Sequence, residues 1–180
     1  MHKTYRWQHE EGTGLEHLDL NLTPGGVVAS GLIIGNRFGS EYGLSYSIGC
    51  DKEWRVRTLK VQLAGFGALE LRGDGNGQWR SANGSELKAL EGCLDIDISA
   101  SAFTNTLPIR RLRGELAQRH IISVVYIKIP ALTFETVAQA YTKVGEGRYR
   151  YEGLSSQFEA ELEVDDDGVV VNYPSLFSRI

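Results

Sequence analysis

The sequence predicts an all-β, mostly antiparallel domain: a curved sheet closing into a β-roll or incomplete barrel, with very little helix. Three observations carry this. Apolar and polar residues alternate at period two in several segments. Twenty-one glycines against only four prolines, evenly spread, mark many tight turns and few linkers. Helix signals are poor, the best being one capped turn at Ser85-Glu86-Leu87-Lys88-Ala89-Leu90.

Taken in chain order, Leu18, Leu20 and Leu22 alternate with Asp19 and Asn21 as in a half-buried strand. Val27 to Ile34 is apolar on both faces, the pattern of a central strand covered on both sides. Leu59, Val61 and Leu63 alternate with Thr58, Lys60 and Gln62. Asp74-Gly75-Asn76-Gly77 closes a hairpin onto Gln78-Trp79-Arg80, with Asn-Gly and Asp-Gly suited to a type I′ turn. Leu94, Ile96 and Ile98 form a buried face, which puts Asp95 and Asp97 on the other side of the strand, roughly 6–7 Å apart. Phe103-Thr104-Asn105-Thr106-Leu107-Pro108 is read as a polar loop, and Ile109-Arg110-Arg111-Leu112 as a second strand.

Ile121 to Ile129 is again apolar on both faces. Phe134, Val137, Ala138 and Tyr141 have helical spacing, but the segment is rich in Thr and Val and is assigned to a strand. Phe158, Ala160, Leu162 and Val164 alternate with three glutamates, and Asp165-Asp166-Asp167-Gly168 turns that strand onto Val169–Tyr173. The chain is most simply one domain, residues 1–180, with a weak pseudo-repeat over about 14–80 and 90–174. Similar antiparallel meanders would give the same appearance without a duplication.

Composition bounds the function. Nineteen Lys and Arg against 23 Asp and Glu give a net charge of −4, so no overall field draws the protein to nucleic acid. No apolar run approaches the ~20 residues of a membrane-spanning helix. The first residues carry no signal-peptide pattern, and the two cysteines, Cys50 and Cys93, sit in no paired spacing. A cytoplasmic protein with reduced thiols is expected. The four histidines lack metal-ligand spacing, and no nucleophile elbow or phosphate-binding glycine loop is present. No catalytic residue, metal or cofactor is therefore assigned.

The chemistry concentrates around the aspartate strand. Asp95, Asp97, Thr104, Asn105, Thr106, Arg110 and Arg111 supply carboxylates, hydroxyls, an amide and guanidiniums suited to a polyhydroxylated or anionic ligand. Arg55 and Arg57 share strand parity with apolar residues, so either a β-bulge re-aims them or that face opens onto a polar mouth. Trp54, and Tyr149 and Tyr151 alternating with arginines, offer planes for stacking on sugar rings. Each has a plainer reading. Arginines pair with Asp95 or Asp97 at a barrel end, and aromatics pack the core.

With these residues in view, the chain resembles a bacterial family described as putative glycolipid-binding proteins. The strings that carry the resemblance begin with Gly14-Leu15-Glu16, Tyr46 to Asp51 and Trp54-Arg55-Val56-Arg57. Leu94-Asp95-Ile96-Asp97, Phe103 to Leu112 and Tyr149-Arg150-Tyr151 follow, then Asp167-Gly168-Val169-Val170 and Tyr173-Pro174. Ser101-Ala102 stand where relatives are expected to have Thr-Pro. The resemblance implies a β-roll similar to the open barrels of periplasmic lipoprotein carriers.

The reading is a non-enzymatic module in which the sheet encloses an apolar cavity for an amphiphilic, glycolipid-like molecule. The polar cluster stands at its mouth, and oligomeric state is left open. Two alternatives stand beside it. One is an enzyme on a sugar-containing substrate with Asp95 or Asp97 as acid or base. The other is a protein-interaction module pairing through a strand edge.

Overall fold

In the computed structural model, which describes residues 1–10 and 14–180, fourteen strands form one continuous curved sheet. The first seven are β1 (His2–His9), β2 (Leu15–Thr23), β3 (Gly26–Arg37), β4 (Ser40–Cys50), β5 (Val56–Leu63), β6 (Gly67–Gly73) and β7 (Trp79–Ser81). The other seven are β8 (Asp95–Ile98), β9 (His120–Lys128), β10 (Thr133–Gly145), β11 (Arg148–Gly153), β12 (Phe158–Val164), β13 (Val170–Tyr173) and β14 (Phe177–Arg179). Their order is 7-6-5-4-3-2-1-14-13-12-11-10-9-8. All neighbours are antiparallel except β8 and β9, which run parallel. The sheet is all-β and mostly antiparallel as expected, and it does not close into a barrel.

The free edges are β7 and β8, and the segment between them spans the opening. Leu87 N–H donates to Trp79 O at 2.9 Å, Val56 N–H to Leu94 O at 3.2 Å, and Thr136 Oγ1 to Ala89 O at 2.6 Å. The capped turn expected at 85–90 is here only a 3₁₀ turn, Lys88–Leu90.

Hairpins β1–β2, β3–β4, β5–β6, β9–β10, β11–β12 and β13–β14 lie at one end of the sheet, called the upper end below. The β2–β3, β4–β5, β6–β7, β10–β11 and β12–β13 connections lie at the lower end. Phe134 to Tyr141 is strand, within β10, as the Thr- and Val-rich composition indicated.

The concave side is filled by the chain itself. A 3₁₀ turn, Phe103–Asn105, runs into α1 (Thr106–Leu112) and a second 3₁₀ turn, Arg113–Ala117. The expected loop and strand over 103–112 are thus corrected to a helix. Residues 101–109 are buried without interruption, so no period-two signal could arise there. Pro108 sits in the first turn of α1, where a missing N–H costs little. Phe103, Leu107, Leu112 and Leu116 pack against inward residues of the wall, among them Leu18, Leu20, Ile33, Ile48 and Leu59. The interior that would have received an acyl chain is occupied by these side chains.

Three further expectations change. On β3 only one face is covered, since Val27, Ala29 and Ile33 are buried while Leu32 and Ile34 are exposed. The Asp74 and Asp165 hairpins are not type I′ turns, because only their glycines have positive φ. Instead Asp74 Oδ1 accepts the N–H groups of Asn76 and Gln78, and Asp165 Oδ1 those of Asp167 and Val169. Asp95 and Asp97 do not face away from the core; they are aimed at side chains of the internal helical segment.

Candidate functional site

Four polar contacts hold the helical segment to the sheet, and they define what remains free for a ligand. At the lower end Asp95 is fully buried and receives Arg111 in a fork: Nε lies 3.0 and 3.1 Å from the two carboxylate oxygens, and Nη2 2.6 Å from Oδ2. This is the pairing anticipated between an aspartate and one of the arginines. Burial pushes the Asp95 carboxyl upward and the guanidinium opposes that shift.

Asp97, one pleat further up β8, meets no arginine head-on. Its oxygens accept Thr104 Oγ1 at 3.0 Å and Gln139 Nε2 at 2.6 Å. Burial raises its carboxyl, while these bonds and the charge of Arg37 hold it down. Tyr141 donates its hydroxyl to Asn105 Oδ1 at 2.9 Å.

The fourth contact involves a residue that was not among the expected site residues. Glu16 on β2 is 1% exposed and accepts Tyr46 Oη and Ser101 Oγ at 2.6 Å each, and Ala102 N–H at 2.8 Å. Burial pushes its carboxyl up to about 7 despite these donors. A signal was present. Glu16 shares parity with Leu18 and Leu20, so alternation alone puts a carboxylate on the apolar face. Tyr46 reaches it because Gly31 lies directly opposite in the ladder. A Cβ at Gly31 would sit 2.2 Å from the Tyr46 ring.

Above these contacts the upper end opens into a cleft of about 290 Å³. Asp97, Asn105 and Ser101 line its inner part, and Arg37, Tyr126, Tyr151, Phe158, Tyr173 and Phe177 its walls. The aromatic rings form a connected set: Tyr151 to Tyr173 at 6.0 Å between centroids, Tyr151 to Phe158 at 6.3 Å, and Tyr173 to Phe177 at 5.9 Å. Arg37 is fixed at the rim by Nη1 donating to Ser99 O at 2.7 Å. The cleft therefore joins apolar planes to a carboxylate, an amide and a guanidinium.

Of the residues singled out from sequence, Asp97, Asn105 and Tyr151 line this cleft. Thr104 supports Asp97 from a buried position, and Thr106 is buried with no hydrogen-bond partner for its hydroxyl among the described residues. Asp95 and Arg111 are engaged with each other below it. Arg55 and Arg57 sit apart, at the lower end, with Asp51: Arg55 Nε is 2.9 Å and Arg57 Nη1 3.7 Å from its Oδ2. Between Gly49 and Cys50 the ladder skips a residue, so Arg57 falls at a bulge that turns it outward. Trp54 is buried beneath the Arg110 guanidinium at 5.0 Å, and Tyr149 stands near them at the lower end. Arg37, Tyr126, Phe158, Tyr173 and Phe177 were not singled out; no local motif marks residues gathered from five different elements.

Comparison with known proteins agrees with this architecture. A DUF1089 family protein from Pseudomonas aeruginosa, known from a 1.80 Å crystal structure, is 40% identical. The match covers 93% of this chain and 92% of that one, with a TM-score of 0.81. No curated protein matches. The family model described as "Putative glycolipid-binding" matches residues 4–179, nearly the whole chain, and the chain belongs to that family.

Proposed function

We propose that the chain is a non-enzymatic binding protein for an amphiphile with a polyhydroxylated headgroup, seated in the upper cleft. One observation carries this reading: Asp97 and Asn105 line the same cleft as the Tyr151, Phe158 and Tyr173 rings. Sugar hydroxyls find acceptors on Asp97 and donors on Arg37, while the C–H face of a pyranose suits an aromatic plane. The description of the family supports the same ligand class. Because the concave core is filled, the apolar tail lies along the aromatic wall, each buried CH₂ contributing about 0.8 kcal/mol. The two buried free thiols fit a reducing compartment, in keeping with a cytoplasmic location.

Calorimetric titration with a short-chain alkyl glucoside below its micellar range tests the reading. Saturable binding is expected, weakened roughly tenfold or more in Asp97→Asn. Absence of binding across a panel of alkyl glycosides and glycolipids, or unchanged affinity in the variant, overturns it.

A further inference from the structure

The lower end holds a second, larger cleft of about 510 Å³, on the far side of the internal helix from the aromatic one. Arg110, Arg113 and Lys143 line it, together with Tyr149 and the Asp165–Gly168 turn. Among the described residues none of the three cations takes part in an ion pair, although most other arginines of the chain do. Carboxylates are present, but Asp165 is committed to Arg179 Nη1 at 2.5 Å and to two backbone N–H groups. Asp167 is held by Lys3. Asp166, which is exposed, has no such partner among the described residues.

Arg110 is the distinctive member. Its guanidinium lies over the Trp54 ring at 5.0 Å, and its Nε is buried with no hydrogen-bond partner among the described residues. A guanidinium stacked on one face keeps its edge free, and that edge is the geometry that binds phosphate or carboxylate through two parallel bonds. Gly168 lets it lie there, since a Cβ at that position would be 3.0 Å from Arg110 Cδ. Two residues beside Arg110 in the fold have left-handed backbone. Trp54 has φ of 65° and Arg113 has φ of 36°, neither with glycine's freedom. Three cations without ion pairs and an unsatisfied donor beside an open cleft are a cost that an anion would offset.

We propose that this cleft is an anion site for a phosphate group, with Arg110 as the bidentate ligand and Arg113 and Lys143 completing the charge. It is separate from the sugar cleft and does not depend on that reading. The phosphate can be free or part of a small ester, or it can belong to a lipid headgroup.

Calorimetric titration of the whole protein with inorganic phosphate, glycerol phosphate and a water-soluble short-chain phosphatidic acid separates these sources. Each titration is made at constant ionic strength. One-to-one binding of at least one of them in the millimolar range or tighter is expected, weakened roughly tenfold or more by Arg110→Gln. It should be unchanged by Asp97→Asn and by Arg80→Gln, a distant exposed control. Preference for the phosphatidic acid would identify a lipid headgroup, and equal binding a free phosphate. Arg113→Gln/Lys143→Gln, on the exposed rim, gives the same loss without disturbing Trp54 should the Arg110 variant unfold. No saturable phosphate binding, or binding unaffected by either variant, overturns the proposal.

Discussion

Among the described residues, Arg111 and Asp95 form the one buried ion pair that locks the helical segment to the edge strand, with the guanidinium fork closing on a carboxylate that is 0% exposed. Arg111→Met leaves that carboxylate without a partner in the interior. The expected loss is about 3–5 kcal/mol, read as a lowered midpoint in urea unfolding. Replacing both residues, Asp95→Leu with Arg111→Met, should restore much of the loss, since an apolar pair of similar volume spares the desolvation cost.

Glu16 makes stability depend on pH. Its folded-state pKa of about 7 lies above the ordinary 4.5, so the folded protein holds this proton more tightly than the unfolded chain does. Its contribution is fully present below about 4.5 and is lost as pH rises through about 7, a difference of about 3 kcal/mol. Glu16→Gln carries no titrating proton. The difference between the two unfolding curves should change across that window and be flat outside it. A constant difference from pH 4 to 8 would refute the assignment.

Gly31→Ala puts a methyl group into the Tyr46 ring, which cannot retreat without leaving Glu16. A loss of about 1–3 kcal/mol is expected. In Tyr46→Phe, which has already lost the hydroxyl bond, the same glycine substitution should cost less. A double-mutant cycle measures the difference.

Asn105→Ala removes the nearer acceptor of the Tyr141 hydroxyl, at 2.9 Å against 3.4 Å for Gln139 Oε1, on a tyrosine buried at 1% exposure. A cost of about 1–3 kcal/mol is expected, with Tyr141→Phe largely cancelling it in the double variant. Thermal unfolding of the four proteins checks this. A measurable fall in melting temperature for Asn105→Ala also means that ligand affinities of that variant have to be corrected for stability.

Thr106→Val is expected to go the other way. The hydroxyl is buried and has no partner among the described residues, and valine keeps the shape, so the melting temperature should rise by the equivalent of about 1 kcal/mol.

Half-exposed strands were legible where the water-facing side chains are polar, as at Phe158–Val164, where every second residue is a glutamate. The hairpins were placed correctly from Asp and Gly, though their turn type was not, because aspartate carboxylates replaced positive φ as the means of turning. The internal helix was illegible for a physical reason: a segment surrounded on all sides has no polar face, so Thr104, Asn105 and Thr106 look like a loop while lying in the core. The same reasoning inverts at β3, where Leu32 and Ile34 are apolar yet uncovered. Asp95 with Arg111 could be anticipated from the need of a buried guanidinium for an acceptor. The aromatic cleft could not, since its rings sit one to a strand on β9 and β11 to β14, and the alternation within any single strand does not mark them as a group.

The strand order has a consequence for how the protein assembles. Strands β1 to β7 and β9 to β14 can each zip through neighbouring hairpins, whose loops are short and whose closure is cheap in entropy. The junction between β1 and β14 is different: Trp7 pairs with Arg179 and His9 with Phe177, segments separated by nearly the whole sequence, over only three residue pairs. Joining them closes the longest loop in the sheet for a ladder of only three pairs, so this seam is expected to close late and open early. Trp7 stands at it, its indole N–H bonded to Val170 O at 2.8 Å, and its fluorescence would report the moment at which two meanders become one sheet.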